Sequence, residues 1–229
     1  MMMKTVDLAE QSLRELNQSL HDGEMLREIR EWRVINTDGA HNIACGLNDD
    51  ISVDIDGHAG YYCAGMNQRA SVTVHGNVGV GVAENMMSGT VRVTGDASQS
   101  AGATAHGGLL VIEGNAAARC GISMKGVDIV VKGNIGPMSA FMGQAGRLVV
   151  CGDAGDALGD SLYEARLYVK GRVGTLGADC VEKEMRAEHR EELAALLERA
   201  GIDADPAEFR RYGSARELYH FKVDNASAY

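Results

Sequence analysis

The stretch HGNVGVGVAENMMSG, residues 75–89, decides the fold, because its core GNVGVG (76–81) has two incompatible readings. As a phosphate-cradling loop it should follow a single strand and open a helix. As a corner of a repeating coil it should return at a fixed interval. It returns. SVTVHGNVGVGVAENMMSG (71–89) is preceded by SVDIDGHAGYYCAGMNQRA (52–70) and followed by TVRVTGDASQSAGATAHGG (90–108). LLVIEGNAAARCGISMKGV (109–127), DIVVKGNIGPMSAFMGQAG (128–146), RLVVCGDAGDALGDSLYEA (147–165) and RLYVKGRVGTLGADCVEKE (166–184) complete seven 19-residue units without insertion.

The sixth position is glycine in every unit: Gly57, Gly76, Gly95, Gly114, Gly133, Gly152 and Gly171. The second is aliphatic (Val53, Val72, Val91, Leu110, Ile129, Leu148, Leu167), and so is the fourth (Ile55, Val74, Val93, Ile112, Val131, Val150, Val169). Residues two apart on a strand share a face, so both columns point inward. Each inward aliphatic contributes roughly 1.5–3 kcal/mol when buried. Glycine followed by Asn or Asp (Asn77, Asp96, Asn115, Asn134, Asp153) reads as a turn of residues that tolerate positive φ. The ninth and thirteenth positions are small, as tight corners require. A unit this short suits one coil of a parallel β-helix and is too short for a four-stranded propeller blade. Aliphatics do not recur every six residues, since Glu84 breaks that series, and a left-handed hexapeptide solenoid is excluded. The expected fold is all-β: a right-handed parallel β-helix of seven coils with flanking helical caps.

Three parts follow: an N-terminal helical extension over 1–31, the β-helix over 32–184, and a C-terminal helical segment and tail over 185–229. Within the β-helix, 32–51 is a degenerate first coil in which Gly39 falls one residue late, and 52–184 is regular. Residues 7–22 read as a helix with an Asp7/Glu10 capping box and a stop at Gly23. Residues 182–200 read as a second helix ended by Gly201, and Asp205-Pro206 opens a short third one. Ser214–Glu217 is a candidate for one more turn.

The third position of each coil should face outward. It is polar early (Asp54, Thr73, Arg92) and apolar late (Val111, Val130, Val149, Tyr168), an apolar stripe that either the C-terminal helix or another chain must cover. Tyr61, Tyr62, Met66, Met86, Met87, Met124, Met138 and Met142 crowd the unit ends, where methionine fills gaps or forms a contact surface. Tyr61, Tyr62, Met66, Met86, Met87, Val111, Val130, Val149 and Tyr168 are the candidate partner interface.

A net charge of −10 argues against nucleic-acid and membrane-surface binding. The N-terminus lacks the apolar core of a signal peptide, and a cytoplasmic location is expected. The five cysteines form no C-x-x-C pair; Cys63 and Cys120 share position twelve three coils apart, about 14 Å, too far for a disulfide. Reduced thiols are expected, and no metal or cofactor site in this chain. The seven histidines fall at unrelated repeat positions, and Asp153, Asp156 and Asp160 read as an acidic turn rather than an acid pair. No nucleophile–base–orienter set is visible, so no catalytic residue is assigned.

The V-x-G-[ND]-x-G corners resemble the GXGXG β-helix region of glutamate synthase large subunits. The strings GYYCAGMN (60–67), GVAENMMSGTV (81–91), GGLLVIEGNAAARCGISMKG (107–126), MSAFMGQAG (138–146), VVCGDAGDALGDSLYEA (149–165), LGADCVEKEM (176–185) and the tail DNASAY (224–229) are similar to the small stand-alone subunits of glutamate-synthase-like systems. These are the small β-helix subunit of N-methylglutamate synthase and its near relative, the β-helix subunit of glutamate-synthase-like complexes. The resemblance implies a scaffold that holds a glutamine amidotransferase-like subunit and an FMN and iron–sulfur subunit together, the cofactors residing in the partner. The assembly would act as a methylamine–glutamate N-methyltransferase, making N-methylglutamate and ammonia from glutamate and methylamine. The glycine-rich β-helix subunit of formylmethanofuran dehydrogenase carries similar coils and is the second resemblance. A stand-alone β-helix enzyme, or a solenoid self-assembling by its ends, are the readings outside these families.

Overall fold

The computed structural model describes residues 2–218. The DNASAY tail and His220 lie outside the described residues. The chain forms a parallel β-solenoid. Strands β1 (Met2–Asp7), β2 (Ile29–Ile35), β3 (Ser52–Asp56), β4 (Ser71–His75), β5 (Thr90–Val93), β6 (Leu109–Ile112), β7 (Lys125–Val131), β8 (Ala145–Val150) and β9 (Arg166–Val169) stack in sequence order into one parallel wall. Register advances by one 19-residue unit per coil: Val53 pairs with Val72, Val72 with Val91, Val91 with Leu110. Both inward columns of the wall are buried.

Two further walls complete the core. Ala59, Val78, Ala97, Ala116, Ile135, Ala154 and Val173, all at position eight, form a ladder of single parallel bridges. Positions twelve and sixteen supply the third wall, with Cys63, Val82, Ala101 and Cys120 in one column and Met86, Ala105, Met124 and Leu162 in the other, all buried. The core is filled by aliphatic and small side chains, in keeping with only three Phe and one Trp.

The repeated glycine is a corner residue, but not for the reason the sequence implied. Of the seven, only Gly57 has positive φ (121°). The others are glycine because coils touch there. A Cβ on Gly114 would sit 2.6 Å from the Gly95 carbonyl oxygen and 2.4 Å from Asp96 Oδ1. The Gly95, Gly114, Gly133, Gly152 and Gly171 amides each donate to the glycine carbonyl one coil earlier. Beside them runs a side-chain ladder. Asn77 Oδ1 accepts from the Asp96 amide (2.9 Å), Asp96 from Asn115 (2.6 Å), Asn115 from Asn134 (2.9 Å), and Asn134 from Asp153 (2.7 Å).

The ends depart from expectation. The first residues form a strand, because Met2–Asp7 alternates with Val6 inward and pairs along β2. The helical extension over 1–31 is therefore corrected: it holds β1, helix α1 (Leu13–Ser19), the single turn α2 (Met25–Glu28) and the start of β2. The capping box is Ser12 with Glu15, while the Asp7 carboxylate accepts from Ala9 and Asn36. α1 plugs the first coil: the Asn17 amide donates to the Asn42 carbonyl (2.8 Å) and its oxygen accepts from Ala44 (3.1 Å).

At the other end, strand β10 (Cys180–Lys183) precedes helix α3 (Ala187–Ala200), so the helix begins later than 182. Glu182 and Lys183 are drawn into sheet by pairing with Tyr212 and Arg211 of β11 (Arg210–Ser214). β11 runs antiparallel between β9 and β10 and caps the parallel stack. Gly201 ends α3 in the left-handed conformation (φ 65°), and Asp205 caps the 3-10 turn Pro206–Glu208, both as anticipated. Ser214 closes β11 and its hydroxyl accepts from the Arg216 amide (2.9 Å).

Candidate functional site

The apolar stripe is covered by the chain itself. Val111, Val130, Val149 and Tyr168 are fully buried against Leu193, Leu196, Leu197 and Ala200 of α3 and against Phe209. These four are therefore corrected as partner-interface candidates. Polar pins hold the cover at its margin. Asp128, whose side chain is 6% exposed, pairs with Arg147 (2.6 Å) and with Arg199 of α3 (3.2 Å). Arg92 donates to the Ala200 carbonyl (2.6 Å), and the Tyr168 hydroxyl donates to Glu192 (2.7 Å). Burial, then that hydrogen bond, pushes the Tyr168 phenol well above its ordinary range. The Asp128–Arg147 pair was missed from sequence although its signal was present: both residues occupy position one of consecutive coils.

The second corner, positions ten to seventeen, is where apolar surface stays bare. Positive φ recurs at positions eleven, thirteen and fifteen: Tyr62, Ala64 and Met66 in one coil, Met138, Ala140 and Met142 in another. This zigzag turns alternate side chains outward. Of the eight exposed large apolar side chains among the described residues, six lie on this corner: Tyr61, Met66, Val80, Met87, Met142 and Leu176. Tyr61, Met66, Val80 and Met87 sit on two adjacent coils, 52–70 and 71–89, whereas Met142 lies three coils and Leu176 five coils further along. Tyr61 is additionally flattened against His41, the rings stacked at 4.3 Å.

The corner residues named from sequence divide. Tyr61, Met66, Met87 and Met142 are exposed. Tyr62 is half-buried with its hydroxyl on Glu84 (3.0 Å). Met86 and Met124 are fully buried gap-fillers, so Met86 is corrected as an interface candidate. Val80 was missed, because its column, position ten, is chemically mixed along the stack.

The chemistry-bearing residues are absorbed by the coil. Asp153 pairs with Arg172 (3.0 Å), and hydrogen bonds from the Arg172 amide and guanidinium hold its carboxyl below the usual range. Asp156 accepts from Thr175, and Asp160 from Ser161 and Ala178. The three are an acidic turn, as read. All five cysteines are free thiols. Burial pushes Cys120 and Cys180 up to about 12 and Cys63 higher still, so none is a poised nucleophile. Among the described residues no group of three His, Cys, Asp or Glu is placed to hold a metal, and no helix is long and apolar enough to cross a membrane.

No family model matches the sequence. Protein GlxC of Rhizobium meliloti (strain 1021) is 63% identical over 228 residues, which span 99% of this chain and the whole of that protein.

Proposed function

The chain belongs to the family of Protein GlxC, and on that premise we propose that it is a non-catalytic scaffold subunit of a glutamate-synthase-like enzyme complex. The finer reading is N-methylglutamate synthase, which joins glutamate and methylamine to N-methylglutamate and releases ammonia. The observation that carries the scaffold role is the bare corner. Tyr61, Met66 and Met87 are 56%, 47% and 48% exposed on a stack whose other apolar columns are covered. Aromatic residues and methionine are the types enriched in interface cores. A solenoid suits this work: its length is set by coil number, and its exposed columns present a straight, rigid edge to two partners at once. The glutamate-synthase-like assignment rests on the GXGXG corners and on the strings over 81–91, 107–126 and 149–165. In this reading one partner is glutamine amidotransferase-like, the other binds FMN and iron–sulfur clusters, and the chain works in the cytoplasm.

The test is affinity purification of the tagged chain from its native host, with mass spectrometry and a visible spectrum. The proposal expects an amidotransferase-like chain and a yellow-brown flavin and iron–sulfur chain in the eluate, and activity with glutamate and methylamine only in the assembled fraction. Tyr61→Asp with Met87→Asp should abolish recovery of at least one partner, because central interface anchors each contribute roughly 2 kcal/mol or more. A colourless chain recovered alone, or partners retained by the double variant, would sink the corner as the docking surface.

A further inference from the structure

Strands β9, β10 and β11 and the first turn of α3 enclose an open cleft of about 360 Å³ at the C-terminal end of the solenoid. Its lining is cationic, against the −10 charge of the chain as a whole. Arg166, Lys183, Arg186, Arg211 and Arg216 face one carboxylate, Glu164. Three of the cations are neutralised by ion pairs: Arg166 with Glu192 (2.5 Å), Arg186 with Glu184 (3.0 Å), and Arg216 with Glu164 (2.8 Å).

Lys183 and Arg211 are not neutralised in this way. They are directly opposite cross-strand partners of β10 and β11, and no ion pair to either is formed among the described residues. Like charges facing each other across a sheet are destabilising. Arg211 spends one donor, Nε, on the Glu184 carbonyl (3.0 Å), which leaves its terminal nitrogens available. Burial is the main influence that disfavours its charged form; Arg166 and Arg186 add to it, and Tyr168 and Glu188 oppose it. The N-cap of α3 beside the cleft is Arg186, and the one acid of its first turn, Glu188, lies 3.8 Å from Arg186 and, among the described residues, forms no ion pair with Lys183 or Arg211.

We propose that this cleft binds a small oxyanion, a carboxylate or a phosphate, between Arg211 and Lys183. A guanidinium fork matches the two oxygens of either group, and lysine supplies a mobile second charge. The ligand is small on two grounds. The volume lies at the lower end of ligand clefts, and the acidic chain repels extended polyanions before they reach the site. The site is formed by this chain alone and needs no partner subunit, so the isolated chain is the right material.

Calorimetric titrations with inorganic phosphate and with glutamate, at ionic strength matched with chloride, test it. Saturable one-to-one binding of either supports the site, and the tighter of the two identifies the source of the oxyanion. Arg211→Gln should weaken binding at least about tenfold, and Lys183→Gln by a smaller factor. Circular dichroism establishes that each variant is folded; should Arg211→Gln fail, Arg211→Lys and Lys183→Gln carry the test. Heats no larger than those of the chloride control for both anions, or affinity unchanged in the folded variants, would overturn the proposal.

Discussion

The two corners of each coil reverse the chain by opposite means. The first, at positions six to nine, is built on glycine, yet six of its seven repeated glycines lie outside the positive-φ region. The second, at positions ten to seventeen, enters the left-handed region at three alternate residues in six of the seven coils and fills most of those sites with side chains such as Tyr62, Arg119, Ser123 and Met138. A left-handed residue with a Cβ costs on the order of 1–2 kcal/mol in isolation. The second corner meets that cost because its amides pair up and down the stack: Ala83 with Cys63, Asn85 with Ala103. Position six of the first corner allows no side chain because the backbone of the preceding coil lies against it. The lesson is that glycine here marks the closest approach of two backbones, and that φ is a separate matter decided by the hydrogen-bond ladder.

The largest test of this contrast is Gly114→Ala. Its Cβ would lie 2.6 Å from backbone, which cannot rotate away. A loss of roughly 1–3 kcal/mol or more is expected from overpacking, read as a lower urea midpoint. A neutral outcome would return the glycine to a merely permissive role. Next is Asn134→Ala, which removes the acceptor of the Asp153 amide (2.7 Å). About 0.5–1.5 kcal/mol should be lost, toward the lower bound because this corner is in water. Ser123→Gly, at φ 52°, should move stability the other way. Relief of left-handed strain exceeds the entropy of the extra glycine, leaving a gain of about 0.5–1 kcal/mol. Destabilisation by this substitution would show that the second corner is set by side-chain contacts rather than backbone shape. The smallest expected effect is none at all: a thiol reagent at pH 8 should leave Cys63 and Cys120 unmodified in the folded chain. Both are buried inside the second corner, and burial holds their thiols protonated. The half-buried Cys45 and Cys151 should react first, as mass spectrometry of the labelled protein would record.

Much of the fold was legible because the pattern is repeated. Seven copies of one unit make the columns at positions two, four and six stand out from any single residue's noise. The stripe through Val111, Val130, Val149 and Tyr168 was legible too, together with the need to cover it. The position-eight ladder and the Asp128–Arg147 pair carried the same periodic signal and could have been read by the same alignment. The N-terminus misled because DLAEQSLRELNQSLHD has helical spacing, whereas MMKTVD is fixed as strand by β2, a partner more than twenty residues away.

By itself, then, the sequence determined the coil, its period, its inward columns and the places where backbones must come close. Tertiary structure alone decided which element covers the stripe, why glycine stands at the corner, which corner stays bare, and that Lys183 meets Arg211. The physical reason is the range of the interactions. Contacts between like positions of adjacent coils recur at one separation and leave a periodic trace. Contacts made by the ends, such as β10 on β11 or α3 on the stripe, occur once, at separations with no period, and are selected by the shape and charge of surfaces that exist only after the coils have stacked.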